Sequence, residues 1–270
     1  MKQRIKTVET IKKVTHAMRL ISMSSHTRLL DKRKHLAQYK KTFEELWSSV
    51  HYALPQEAPA LLTEEPKDLC ILIGSQKGLC GTFNSSLYKF FEHNVPKVPK
   101  SMHIIAIGNF AAEYFKRHHV TPIASYTTFS VQHFIMVAHA VTDLIMKDPT
   151  KYRTVTAYSN MEKTFFVQLP KKTVVYPFSS PHLESAPQTS YLFEQSPELL
   201  HDTISRLLVS VSLQSLFFES LLSEQAARFI SMDTSTRNAD NLITSMKLGY
   251  NKVRQATITR ELSELSATLT

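Results

Sequence analysis

Apolar residues recur at alternating three- and four-residue steps along the last quarter of the chain: Leu208, Val211, Phe218, Leu222, Phe229, Met232, Ala239, Ile243, Met246, Tyr250 and Val253, with Ser215, Gln225 and Thr236 as polar interruptions. This is a heptad seam, the pattern of a helix that buries one stripe against another helix. A similar stripe opens the chain at Ile11, Val14, Met18 and Ile21, turns polar through Ser25, Arg28, Lys32 and His35, and recovers at Tyr39, Phe43 and Leu46. The first Pro is Pro55 and the first Gly is Gly74, so residues 1–54 can run as one helix of roughly 50 residues and about 75 Å. Ser196-Pro197-Glu198 supplies an N-cap, a proline at the first helical position and an acid in the first turn. Residues 197–270 then read as a helix of roughly 70 residues and about 105 Å. Helices of that length need a partner, and the two ends of the chain are expected to form one antiparallel coiled coil. Two separate amphipathic helices on a globular core are the alternative, which leaves the scarcity of breakers unexplained.

Between the helices, residues 67–178 follow another rhythm. Leu69–Ile73 and Met102–Gly108 are continuous apolar runs suited to buried parallel strands, and helical patterns follow at Ser85–His93 and Phe110–His118. Val131–Lys147 reads as a third helix, and Tyr152–Tyr158, Thr164–Leu169 and Thr173–Pro177 as strands. Alternating strands and helices predict a Rossmann-like α/β domain around a mainly parallel sheet. Residues 179–196, rich in Ser and Pro, read as a surface linker. The fold class is therefore α/β, with a long antiparallel coiled coil of N- and C-terminal helices.

Composition narrows the function classes. With 43% hydrophobic and 20% charged residues the chain can bury a core, and 5 Gly with 12 Pro exclude collagen-like and low-complexity classes. Cys70 and Cys80 are too few for a disulfide framework and read as small apolar filler in a reducing compartment. No run of 18 apolar residues occurs, and MKQRIKTVETIKK lacks the apolar centre of a signal peptide, so no membrane insertion is expected. Of the net charge of +9, nearly all lies in residues 1–54, which carry 12 Lys and Arg against 4 Asp and Glu.

Motifs for chemistry are missing from the sequence. The turn Gly74-Ser75-Gln76-Lys77-Gly78-Leu79-Cys80-Gly81 sits where nucleotide-binding turns lie, but Leu79 and Gln76 break both phosphate-binding patterns. The histidines include no H-E-x-x-H, no G-x-S-x-G occurs, and no acid pair stands out. No catalytic residue, cofactor or metal site is expected. The basic run Arg28, Lys32, Arg33, Lys34, Lys40 and Lys41 has three readings: a solvated face, a nucleic-acid contact, or a face opposed to acidic protein loops.

Three segments resemble a known family. Arg228–Ala239 (RFISMDTSTRNA) with Leu248–Glu264 (LGYNKVRQATITRELSE) is similar to the C-terminal signature of the gamma subunit of the F-type ATP synthase, extended upstream by Glu219-Ser220 and Ser223–Ala227. Val14-Thr15-His16-Ala17-Met18 resembles the family's N-terminal helix motif, and Gly78–Asn84 (GLCGTFN) its turn after the first strand. The resemblance implies a coiled-coil shaft turning inside a ring of three alpha and three beta subunits. It also implies an α/β foot that meets the epsilon subunit and the membrane ring of c subunits. Such a subunit transmits torque and is non-catalytic. It further implies that Arg254, Gln255, Thr259 and Glu261 contact the catch loops of the ring, and that Met18 lies near acidic lever loops of the beta subunits. The basic face at Arg28, Lys32, Arg33 and Lys34 is expected to meet those acidic loops.

Some positions depart from the pattern. Gln76 replaces the usual acid of the turn, His16 the usual Lys, and Met23–Thr27 an Ala-rich basic run. The chain starts only a few residues before the motif, which favours a bacterial protein, on the cytoplasmic face of the inner membrane, over an organellar precursor. A degenerate coiled-coil scaffold and a basic coiled-coil nucleic-acid binder are the rival functions.

Overall fold

The computed structural model describes residues 1–53, 67–99, 101–178 and 194–268. Its frame is two long helices, α1 (Lys2–Ala53) and α5 (Pro197–Thr268). Between them lie β1 (Lys67–Ile73), α2 (Phe83–Asn94), β2 (Met102–Ile107), α3 (Asn109–Arg117), β3 (Ala124–Tyr126), α4 (Phe134–Met146), β4 (Tyr152–Thr164) and β5 (Val167–Tyr176).

The strands form one sheet in the order β3-β2-β1-β4-β5. β1 is parallel to β2 and β4, β2 is parallel to β3, and only the β4–β5 hairpin is antiparallel. Side chains alternate across the sheet, as strand geometry requires. Cys70, Leu72, Ile104, Ala106 and Tyr158 face one way and pack on Leu87 and Phe91 of α2 and Ala111 and Phe115 of α3. Leu69, Ile71, Ile73, Ile105, Ile107, Val155 and Ala157 face the other way, onto α4 and onto Val209, Leu213, Phe217 and Leu221 of α5. The lower half of α5 is thus a layer of the α/β body. At the shaft-side edge the chain passes very close to itself: a Cβ on Gly108 (φ 87°) would lie 2.5 Å from the carbonyl oxygen of Gly74, so only glycine fits there.

Three expectations need correcting. The seam of α1 is not Ile11, Val14, Met18 and Ile21. Ile11, Val14 and Ile21 are about half exposed or more, at 50%, 53% and 65%. The face turned to the body and α5 is offset by one residue and holds Ile5, Thr15, Ser22, His26, Leu29, Trp47 and Val50. Its spacing is heptad, but polar residues fill many of its positions, so hydrophobicity alone selects the neighbouring stripe. Next, Tyr152–Tyr158 and Thr164–Leu169 are not separate strands. β4 runs unbroken to Thr164 and turns directly into β5. Its buried polar residues Asn160 and Glu162 imitate a break because their partners, the Phe83 carbonyl and His26, come from elsewhere in the chain. Finally, β3 is three residues long and is an addition to the expected sheet. Most of the expected linker, 179–193, lies outside the described residues.

Candidate functional site

The shaft is held in register by polar rungs. Lys12 pairs with Asp240 at 2.6 Å, Arg19 with Asp233 at 2.6 Å, and Arg33 grips both oxygens of Glu219 at 2.8 and 2.9 Å. Trp47 Nε1 donates to Ser205 Oγ at 3.2 Å. Each advance of 7 or 14 residues along α1 matches an equal retreat along α5, which is what an antiparallel heptad coil demands. Between the first two rungs, buried Thr236 donates to Thr15 at 2.9 Å. Arg19 donates a hydrogen bond to Asp233 and, with Arg237, holds that carboxyl below the usual carboxylate range.

Two polar joints lock the shaft to the body. At the first, the turn after β1 meets α5: Arg228 pairs with Glu224 one helical turn away and donates to the carbonyls of Gly78 at 3.3 Å and Lys77 at 3.2 Å. Glu224 also accepts from the Gln76 backbone N–H at 3.4 Å. Both side chains are buried, at 4% and 6% exposed, so each charge needs the other. The Gln76 side chain ties the turn to another loop: its Oε1 accepts from the Phe129 N–H at 3.2 Å. The turn itself is braced by Asn84, which accepts from the Ser75 N–H and donates to the Ser75 hydroxyl. Cys80 lies inside this turn, and burial pushes its thiol up from the ordinary value. At the second joint, His26 Nε2 and Glu162 Oε2 lie 2.7 Å apart and are almost fully buried. Phe165 at the β4–β5 tip packs edge-on against His26 and against Phe229. By the rung spacing, the fully buried Ala226 of α5 falls opposite His26, which leaves room for β4 to supply the partner. The first joint lies within the segments that carry the resemblance, Gly78–Asn84, Ser223–Ala227 and Arg228–Ala239, whereas His26 and Glu162 carry no motif; the one clue to His26 in the sequence is that it is a polar residue one heptad from Arg19 and from Arg33.

Above the rungs α5 outruns its partner. The amine of Lys2 lies over the ring of Tyr250, 5.7 Å from its centroid, and beyond it every residue from Asn251 to Glu264 is exposed. Arg254, Gln255, Thr259 and Glu261 all lie on this lone segment, within one broad side that also carries Ile258 and Leu262. Met18 is half-buried on α1, while Arg28, Lys32 and Lys34 are exposed. Arg33 differs from its basic neighbours: its guanidinium is spent on Glu219, so it is a rung of the shaft and not part of a face open to an acidic partner. Among the described residues, no group of three or more His, Cys, Asp or Glu is placed to hold a metal ion.

The geometry defines a class of protein: a stalk, in which an α/β body carries a long two-helix shaft whose tip is a single exposed helix. A family profile described as ATP synthase matches residues 1–269. The ATP synthase gamma chain of Amoebophilus asiaticus is 28% identical over 281 residues, covering 98% of this chain and 94% of the relative. That of Clostridium perfringens is 27% identical over 267 residues, with coverage of 98% and 94%. In fold, the chain is similar to a chain of the Euglena gracilis mitochondrial ATP synthase OSCP/F1/c-ring structure, with a TM-score of 0.70 at 16% identity, covering 100% of this chain and 92% of that one. It is also similar to a chain of the Tetrahymena thermophila central stalk/c-ring structure, with a TM-score of 0.62 at 19% identity and coverage of 83% and 99%. The chain belongs to the gamma-subunit family, the central stalk of the F-type ATP synthase.

Proposed function

We propose that this chain is the rotating shaft that couples ion flow through a membrane ring to ATP synthesis or hydrolysis in a head of alpha and beta subunits, and that it performs no chemistry itself. The observation that carries this reading is the upper shaft. From Asn251 onward α5 stands alone, and Val253, Ile258 and Leu262 are 52%, 46% and 61% exposed. A single helix of this length gains little by itself in water. Its apolar side, and the half-exposed Ile11, Val14 and Ile21 of α1, suit an enclosing bore.

In this reading Arg254, Gln255, Thr259 and Glu261 make the polar contacts of the tip, and Met18 lies near the acidic loops of the beta subunits. Arg28, Lys32 and Lys34 attract those loops as the shaft turns, since a row of like charges draws an acidic surface without fixing one register. An asymmetric shaft favours a different conformation in each catalytic subunit it touches. The α/β body bears on the epsilon subunit and the c-ring at the cytoplasmic face of the membrane. The joints at Glu224–Arg228 and His26–Glu162 keep body and shaft turning as one piece.

Charge reversal of the exposed row tests the reading. In membranes carrying the assembled complex, Arg28→Glu/Lys32→Glu/Lys34→Glu should lower ATP-driven ion pumping per ATP hydrolysed, while ATP hydrolysis persists. Pumping at the unaltered ratio would count against it.

A further inference from the structure

The register that pairs Trp47 with Ser205 carries one step further along the coil. His51 lies one helical turn beyond Trp47 in the last turn of α1, and His201 lies one turn before Ser205 in the opening turns of α5. The antiparallel arrangement therefore brings the two imidazoles together, with ring centroids 5.8 Å apart and planes inclined at 33°. They rest on a fixed floor. Trp47 is buried with Val50, Ile204 and Leu208, and its indole lies flat against His51 at 4.8 Å and 8°. On the outer side His51 is exposed and the His201 side chain is 30% exposed, so water and ions reach both rings.

Ordinary structural roles account for one ring and not for the pair. A cation in the last turn of α1 offsets the helix dipole, but His201 stands near the start of α5, where positive charge is unfavourable. Aromatic packing explains His51, which stacks on Trp47, whereas the His201 ring stands 6.3 Å from the indole at 40°. Among the described residues neither ring hydrogen-bonds a protein group. Asp202 Oδ1 is 3.9 Å from His201 Nδ1, beyond hydrogen-bond reach, and its side chain is 91% exposed. Each neutral ring thus keeps a lone-pair nitrogen that no protein donor occupies. A metal–imidazole bond of about 2 Å puts the ring centre about 3 Å from the ion, so two rings sharing a tetrahedral ion stand about 5 Å apart. The observed 5.8 Å is close to that separation, and a small side-chain rotation closes the difference. Imidazole nitrogens favour zinc, nickel and copper ions, whereas magnesium and calcium take oxygen ligands. Asp202 adds a carboxylate charge that favours a cation over an anion.

We infer that His51 and His201 form a two-imidazole clamp for a divalent transition-metal ion of the zinc, nickel or copper type, with water completing the shell. The ion fastens the end of α1 to the start of α5, at the end of the coil opposite the single-helix tip. Trp47 is the one tryptophan in the chain and touches His51, so its fluorescence reports binding at this place. The full-length chain is titrated with copper(II), which binds nitrogen sites most tightly in the series and quenches a neighbouring indole. Quenching is expected to be saturable, to be reversed by a chelator and to be opposed by excess zinc ion. His51→Phe keeps a ring on Trp47 without a ligand nitrogen, and His201→Asn keeps a polar side chain. Each should lower the copper(II) affinity at least about tenfold, since the loss of even an outer-shell partner costs that much, with circular dichroism unchanged. His35→Asn, about 24 Å further up α1, should leave the affinity unaltered. Zinc ion alone should raise the thermal midpoint of the wild type more than that of either clamp variant. The absence of saturable quenching in the wild type, an unchanged affinity in either clamp variant, or an equal zinc-dependent rise in the thermal midpoint of all three proteins overturns the inference.

Discussion

One helix, α5, lives in two environments. Its lower half is a wall of the body: Val209, Leu213, Phe217 and Leu222 are fully buried between the sheet, α4 and α1. Its upper half packs along α1, and the rungs there are Lys12–Asp240, Thr15–Thr236 and Arg19–Asp233, with a thin apolar line of Met232, Ala239 and Ile243. The heptad spacing is continuous through both, so spacing sets direction and register while burial sets strength. Part-exposed ion pairs contribute roughly 0.2–1 kcal/mol each, against about 1.5–3 kcal/mol for a fully buried large apolar side chain. The lower half is an anchor and the upper half an adaptable rod, and local opening should begin at the tip.

The contrast is broken most severely from below. Phe217→Ala, which empties a wholly buried site beside Phe129, should cost about 3–5 kcal/mol in denaturant unfolding. Glu224→Ala leaves Arg228 as an unpaired buried charge and should cost about 3–5 kcal/mol. Limited proteolysis should then report loosening at the Gly74–Gly81 turn. In the upper half Arg19→Ala should cost no more than about 1 kcal/mol, its partner being part-exposed, and hydrogen exchange should rise only near Thr15 and Thr236.

Acid sharpens the same division. Asp233 is held below the ordinary carboxylate value by Arg19 and Arg237. A depressed carboxyl contributes stability that is present above its unfolded value, near about 4, and is lost as pH falls through its lower folded value. The upper rod should therefore loosen below about pH 4 before the anchor does, and Asp233→Asn should flatten that dependence in hydrogen exchange. The smallest effect concerns the thiols. Burial pushes Cys70 up to about 12 and raises Cys80, so neither should react with a maleimide at neutral pH until the body unfolds.

The two halves of the shaft also differ in how plainly the sequence spells them. In α5 the seam from Leu208 to Ile243 is written in apolar residues and is buried at most of those positions. In α1 the equivalent positions hold Lys12, Arg19, His26 and Arg33, whose partners lie 136 to 228 residues away in sequence. Apolar residues on the flank, Ile11, Val14 and Ile21, then attract a reading one residue out of register. They are apolar although exposed, which is how a surface awaiting an outer partner looks before that partner is known. The same blindness to long-range polar pairing split β4 at Asn160 and Glu162. It also placed Arg33 in a partner-binding row when Glu219 claims it. That Arg254, Gln255, Thr259 and Glu261 meet a partner is read from resemblance alone, because an exposed single helix has no packing signal of its own.

The central claim is that body and shaft turn as one piece inside a fixed head, and it can be watched. Both natural thiols are buried, so Lys116→Cys on the exposed face of α3 provides one reactive site for a bead on the body, with the head of the purified complex fixed to glass. The account predicts that the bead rotates in one direction when ATP is added, and that Ile258→Lys/Leu262→Lys at the tip impairs rotation. A complex that hydrolyses ATP while the bead stays still would contradict it.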